Sequence, residues 1–177
     1  ASGDLYNLTV TTAGDILGTD VTGNIVGGSY IASGAITFDK AATIASASFD
    51  SGNLVTLGAT GKIELVDVKG NDGASLTAAA GIDSATVVAN NNDVTLSAAH
   101  IGSSTVTAQG GAVELTADAI GGAKVVAATD VTVDGTLAES SLTAQTGKVE
   151  IKNATAGVTN VTASAGGDII ATTDIGW

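Results

Sequence analysis

Ile82-Asp83-Ser84-Ala85-Thr86-Val87-Val88-Ala89-Asn90-Asn91-Asn92-Asp93-Val94-Thr95-Leu96-Ser97-Ala98-Ala99-His100 is followed at once by Ile101-Gly102-Ser103-Ser104-Thr105-Val106-Thr107-Ala108-Gln109-Gly110-Gly111-Ala112-Val113-Glu114-Leu115. The second stretch repeats the first nineteen residues later: Ile over Ile, Val87 over Val106, Ala89 over Ala108, Leu96 over Leu115. Self-similarity at a fixed period of this length marks a stacked repeat architecture.

The same step carries outward in both directions. One row reads Ile25, Ile44, Ile63, Ile82, Ile101, Ile120, with Tyr6 one step earlier. A second reads Tyr30, Phe49, Val68, Val87, Val106, Val125, and a third Phe38, Leu57, Leu76, then Leu96 after one inserted residue, then Leu115. A fourth is small throughout: Ala13, Ala32, Ser51, Gly70, Ala89, Ala108, Ala127. Towards the C-terminus the step drifts, and the rows are read as Val133, Ile151, Ile170, as Leu142, Val161, and as Ala144, Ala163. The last rung is expected to reach Ile175 and Trp177, with Trp177 as an end plug or junction anchor.

Within a rung the apolar period is two. Ala112-Val113-Glu114-Leu115-Thr116 and Lys148-Val149-Glu150-Ile151-Lys152 alternate as half-buried strands do. The turn slot Asp15, Gly34, Asn53, Asp72, Asn91, Gly110 holds residue types that tolerate positive φ. Nineteen residues are too few for a strand–helix–strand crossover. The predicted fold is therefore all-β: a right-handed parallel β-helix, or β-solenoid, of about nine rungs, forming one repeat domain over residues 1–177. At a parallel spacing of about 4.8 Å, nine rungs make a rod of roughly 43 Å.

Composition agrees. Hydrophobic residues are 44% of the chain but aromatics only 3%, so the apolar mass is Ala, Val, Ile and Leu, suited to a thin core. No Cys is present, which removes disulfides, thiolate zinc sites and a cysteine nucleophile. A net charge of −12 opposes binding to nucleic acid or an anionic membrane. No apolar run is long enough to span a bilayer, so no membrane insertion is expected. The absence of an initiator Met suggests a chain processed from something longer.

Candidate chemistry is sparse. His100 is the single histidine, read as a surface or corner residue with no Ser–Asp constellation beside it. Glu64 and Asp83 are one rung apart, which places two carboxylates side by side. The turns Lys69-Gly70-Asn71-Asp72-Gly73 and Asn90-Asn91-Asn92-Asp93 are oxygen-rich, which makes calcium the candidate cation, yet no calcium-loop motif is present. An outward row Val88, Thr107, Val126, Thr143, Thr162, beside Thr86, Thr105, Lys124, Ser141, Asn160, raises ice binding as an alternative. No catalytic, metal or cofactor-binding residue is assigned, and the chain is expected not to be an enzyme. A polysaccharide-active β-helix is the rival enzymatic reading.

The segments Gly110-Gly111-Ala112-Val113-Glu114-Leu115-Thr116-Ala117, Thr146-Gly147-Lys148-Val149-Glu150-Ile151 and Gly166-Gly167-Asp168-Ile169-Ile170-Ala171-Thr172 resemble the shaft repeats of filamentous haemagglutinin-like secreted adhesins. The resemblance covers nearly the whole chain. It implies an extracellular, cell-surface β-helix serving attachment, aggregation or biofilm, with host or cell-surface glycans as partners. Adjacent repeats of a longer chain, or copies stacked end to end, would be its other neighbours. That family's secretion domain carries Asn-Pro motifs, and with no Pro here the resemblance does not extend to it.

Overall fold

A single nineteen-residue coil buries too little apolar surface to offset the cost of ordering its backbone, so cohesion has to come from coil-on-coil pairing. The computed structural model, which describes residues 3–172, has that arrangement. Every strand pair is parallel, no helix occurs among the described residues, and nine successive strands form one continuous face. The architecture is a β-solenoid of about nine turns.

Each coil has three sides. The first side stacks Leu5, Ile25, Ile44, Ile63, Ile82, Ile101, Ile120, Leu137 and Val158. The second side is the nine-stranded face, with Val10, Tyr30, Phe49, Val68, Val87, Val106, Val125, Leu142 and Ala163 pointing inward. The third side stacks Phe38, Leu57, Leu76, Leu96, Leu115, Val133 and Ile151. In the middle coils the third and first sides join in long strands that bend round a corner, such as Gly73–Asp83 and Val113–Gly121. From the second coil to the eighth these inward residues are buried.

The register corrects the sequence reading at both ends. Leu5, not Tyr6, pairs with Ile25, and Thr12, not Ala13, pairs with Ala32. Leu142 lies beside Ala163 rather than Val161, and Ala144 beside Ala165 rather than Ala163. Ile151 meets Ala171, while Ile170 pairs with Glu150. The extra residues are taken up in the Asn153–Gly157 turn, closed by the Gly157 N–H donating to the Ala154 carbonyl at 2.9 Å. Ile175 and Trp177 lie outside the described residues.

The predicted left-handed slot is also corrected. None of Asp15, Gly34, Asn53, Asp72, Asn91 and Gly110 has a positive φ. The left-handed corner lies instead between the first and second sides, at Asn7, Gly27, Ser46, Leu65, Ser84, Ser103, Gly122, Glu139 and Asn160. One residue per coil takes the conformation, at about 1 kcal/mol for a non-glycine side chain, and the chain turns sharply there into the next strand.

Asp15, from that slot, does something else, as do Asp93 and Asp130 outside it. Asp15 Oδ1 accepts the Ala35 N–H of the next coil at 2.8 Å. Asp93 does the same for Ala112 at 2.7 Å, and Asp130 for Lys148 at 2.8 Å. Each carboxylate occupies the space over a glycine: a Cβ on Gly34, Gly111 or Gly147 would collide with Oδ1 of Asp15, Asp93 or Asp130 respectively. An aspartate and a glycine one coil later thus form a bracket between coils, with a charge-assisted hydrogen bond in it.

Near the N-terminal end the core holds its only large rings among the described residues. Tyr30 stacks on Phe49 at a centroid distance of 5.1 Å and meets Phe38 edge-on at 5.2 Å. The Tyr30 hydroxyl is buried and has no hydrogen-bond partner among the described residues. Leaving a buried hydroxyl unpaired costs about 1–3 kcal/mol. Tyr30→Phe is therefore expected to raise stability by about 1 kcal/mol, read from a chemical-denaturation midpoint. Burial also raises the Tyr30 pKa in the folded chain. Its contribution is fully present below the unfolded value near pH ~10 and falls as pH rises through the folded value. The alkaline decline in melting temperature should consequently be shallower in Tyr30→Phe than in the parent.

Candidate functional site

Titratable and polar groups gather at four places on the outer surface, with a further small cluster around Asp4 at the N-terminal end. The first is a His–Asp pair. His100 Nε2 lies 2.7 Å from Asp83 Oδ1 across neighbouring coils. No Ser–Asp constellation is legible beside His100 in the sequence, and the structure brings the aspartate alone to it. The register returns from a step of twenty at Ala78/Ala98 to nineteen at Gly81, which sets His100 over Gly81. Gly81 has no side chain, so the ring folds across it; a Cβ there would lie 2.6 Å from the imidazole. The ring thereby reaches Asp83, seventeen residues away instead of nineteen.

Glu64 and Asp83 are register partners, as their spacing implied, but it is His100 that engages the Asp83 carboxylate. A His–Asp pair orients an imidazole for general-base work when a nucleophile sits on its other side. Among the described residues no hydroxyl hydrogen-bonds to His100.

The second place is the Asn/Asp stack. Asn90 Nδ2 donates to Asn71 Oδ1 at 3.3 Å, and Asn91 Nδ2 donates to Asp72 Oδ1 at 3.4 Å. The two oxygen-rich turns are thus neighbours, one coil apart, and their side chains tie the coils together. No group of three or more His, Asp or Glu side chains among the described residues is arranged to hold a metal ion.

The third place is charged. Glu150 sits between Lys148 at 2.7 Å and Lys152 at 3.5 Å. The Lys148 hydrogen bond holds the Glu150 carboxyl below its usual range, and Glu150 raises Lys148 in return. At the opposite end Asp4 accepts the Asn24 N–H at 2.7 Å and the Tyr6 hydroxyl at 3.0 Å. Those bonds, the backbone one first, lower the Asp4 pKa, and Asp4 raises that of Tyr6. Asp4 and Tyr6 are exposed, Lys148, Glu150 and Lys152 are partly so, and solvent screens both clusters.

The fourth is a depression of about 340 Å³ lined by Thr116, Asp118, Asp134, Gly135, Asn153 and Thr155. It lies where the period shortens: Leu115 stacks on Val133 at a step of eighteen, and Ile120 on Leu137 at seventeen. Asn153 Nδ2 donates to Asp134 Oδ1 there at 2.8 Å.

The flat second side carries two outward rows. The register makes them Thr86, Thr105, Lys124, Ser141, Thr162 and Val88, Thr107, Val126, Thr143, Ser164. Asn160, placed in the first row by spacing alone, belongs to the left-handed corner, and Thr162 takes its place. Thr162 accordingly moves from the second row to the first, and Ser164 fills the vacated position.

At the two end coils the inward rows come to the surface. Leu8 belongs to a corner row whose members Ala47, Val66 and Ala85 are buried, yet it is 40% exposed. Ile169 pairs with buried Val149 and is 54% exposed. No protein-family model, curated protein or solved structure matches this chain.

Proposed function

We propose that this chain is a non-enzymatic structural element of the cell exterior, a segment of a rigid adhesive shaft whose working principle is coil stacking. The observation that carries the reading is the run of parallel ladders through the nine coils over one continuous apolar core. Such an array has the same cross-section throughout and transmits load along its axis through backbone hydrogen bonds. Each outer coil is also a template for another, because parallel strands pair on both edges. Exposed Leu8 and Ile169 are apolar groups that a further coil, of the same chain or of a second copy, would cover. The acidic surface, at net −12, keeps a long shaft hydrated and apart from anionic membrane. The shaft-repeat resemblance adds attachment, aggregation or biofilm formation, with surface glycans as partners.

Electron microscopy of the purified protein, combined with a turnover screen on acidic and neutral glycans, tests the proposal. Rods one solenoid wide, single or joined lengthwise, with no turnover, are the expected result. Glycan cleavage that disappears in Asp83→Asn or Glu64→Gln would overturn it.

One observation favours a second reading. With Thr162 in place of Asn160, the outward rows from Thr86 to Ser164 are hydroxyl or Val at every position except Lys124. Rows of hydroxyls and methyls at about 4.8 Å on a flat face suit an ordered water lattice. Measurable thermal hysteresis, lost in Thr105→Lys, would establish ice binding.

A further inference from the structure

Left-handed surface turns carry a pattern that their role in folding does not require. Three segments read Asn-x-Thr: Asn7-Leu8-Thr9, Asn153-Ala154-Thr155 and Asn160-Val161-Thr162. This is the acceptor pattern for N-linked glycan, and it needs an accessible surface turn. All three asparagines have a positive φ, between 49° and 52°, and all three are exposed.

The three sites are not equivalent. The Asn153 side-chain nitrogen, the atom that would carry the sugar, is already donating to Asp134 at 2.8 Å. No side-chain hydrogen bond engages Asn7 or Asn160 among the described residues. Both occupy the corner where the chain turns from the first side to the second, and the coil frame fixes the two positions after it. The first of these faces the core side of the corner. The second opens an outward strand position: Thr9 pairs with Ser29 and Thr162 with Ser141. Thr9, Thr155 and Thr162 are all exposed. In the intervening coils the same corner holds Gly, Ser, Leu or Glu, so the pattern is complete only in the first and last described coils.

We infer that Asn7 and Asn160 are acceptor sites for an N-linked sugar and that Asn153 is not. The donor is a sugar activated through a phosphate at its anomeric carbon, on a nucleotide or a lipid. The Asn Nδ2 attacks that carbon, the carbon–oxygen bond to phosphate breaks, and the phosphate leaves with the electron pair. The nitrogen gives its proton to a base of the transferase, and no oxidation or reduction occurs. The inference rests on the proposed surface location, where glycan chains are displayed.

The test uses the purified folded chain, a soluble Asn-x-Ser/Thr-specific transferase and UDP-glucose, read by intact mass and peptide mapping. The expected result is a gain of two hexoses, at Asn7 and Asn160. Thr162→Ala should lose the Asn160 hexose alone, and Thr162→Ser should keep both. Circular dichroism of each variant, matched to the parent, removes unfolding as the cause of a loss. No hexose on the folded chain, or a hexose on folded Asn153, would overturn the assignment. A heat-unfolded sample modified at all three sites beside an unmodified folded one would also overturn it, because the fold would then be withholding the acceptors. Rod shape in the microscope is independent of this outcome, so the shaft reading and the acceptor assignment can fail separately.

Discussion

Ala108→Phe should lower the melting temperature by about 10 °C, corresponding to roughly 3 kcal/mol or more in a chain of this size. Ala108 is 1% exposed and stacks between Ala89 and Ala127, both fully buried, with Ala144 beyond them. Neighbouring coils are separated by only about 4.8 Å, so a phenyl ring there has to push the backbone ladders apart or leave the core. Either response breaks parallel hydrogen bonds on both faces of one coil. A melting curve by circular dichroism checks the result. An unchanged midpoint would show that the small-residue row does not lie where the register puts it.

Leu96→Ala is the complementary experiment, removing volume instead of adding it. Leu96 is fully buried between Leu76 and Leu115 on the third side. Truncating a buried leucine costs about 2–5 kcal/mol, with the spread set by how far the surroundings collapse into the void. Collapse is restricted here, because the two adjoining coils hold the strand at fixed spacing. The same type of truncation in the first described coil, Val10→Ala, should cost far less, since Val10 is only partly buried. Urea denaturation of the two variants measures the contrast. Equal losses would mean that stability is not concentrated in the interior coils, and the picture of a shaft that carries force through its core would fall with it.

The stacking was legible from spacing alone wherever one strongly apolar residue recurs with weaker neighbours. Ile25 to Ile120 and Phe38 to Leu115 are the clear cases, and every one of those partners is observed. The ends were illegible for a physical reason. Leu5-Tyr6 and Ile169-Ile170 are adjacent apolar pairs, so a one-residue slip gives no hydrophobic signal. Val161 and Ala163 differ by two residues, and a slip of two leaves the same side chains facing the core.

The left-handed corner was hidden because Ser46, Leu65, Ser84 and Glu139 occupy it, and none of these residue types advertises a positive φ. Its conformation is imposed by the ladders on either side. The His100–Asp83 contact was hidden because it is diagonal: His100 stands over Gly81 at the regular step of nineteen, and its ring reaches two residues along the neighbouring strand to Asp83. The Asp–Gly brackets had a usable signal in an aspartate followed by a glycine one period later. Reading Asp15 and Gly34 as members of a single turn row concealed that they are the two halves of one contact.

The bracket has a bearing on how such a chain changes length. Asp15 reaches forward to Ala35 over Gly34, and its own coil holds Gly14 at the position that matches Gly34, so that coil carries both a carboxylate for its successor and a vacancy for a predecessor. Tandem duplication of that turn, Leu5 through Asn24, adds a copy with both halves intact and leaves the joint to the next coil as it was. An insertion that shifts Asp15 off the glycine strands its carboxylate over a side chain. Growth by whole turns is thus the cheap genetic move, and the molecule behaves as a ruler whose graduations are copied rather than redrawn.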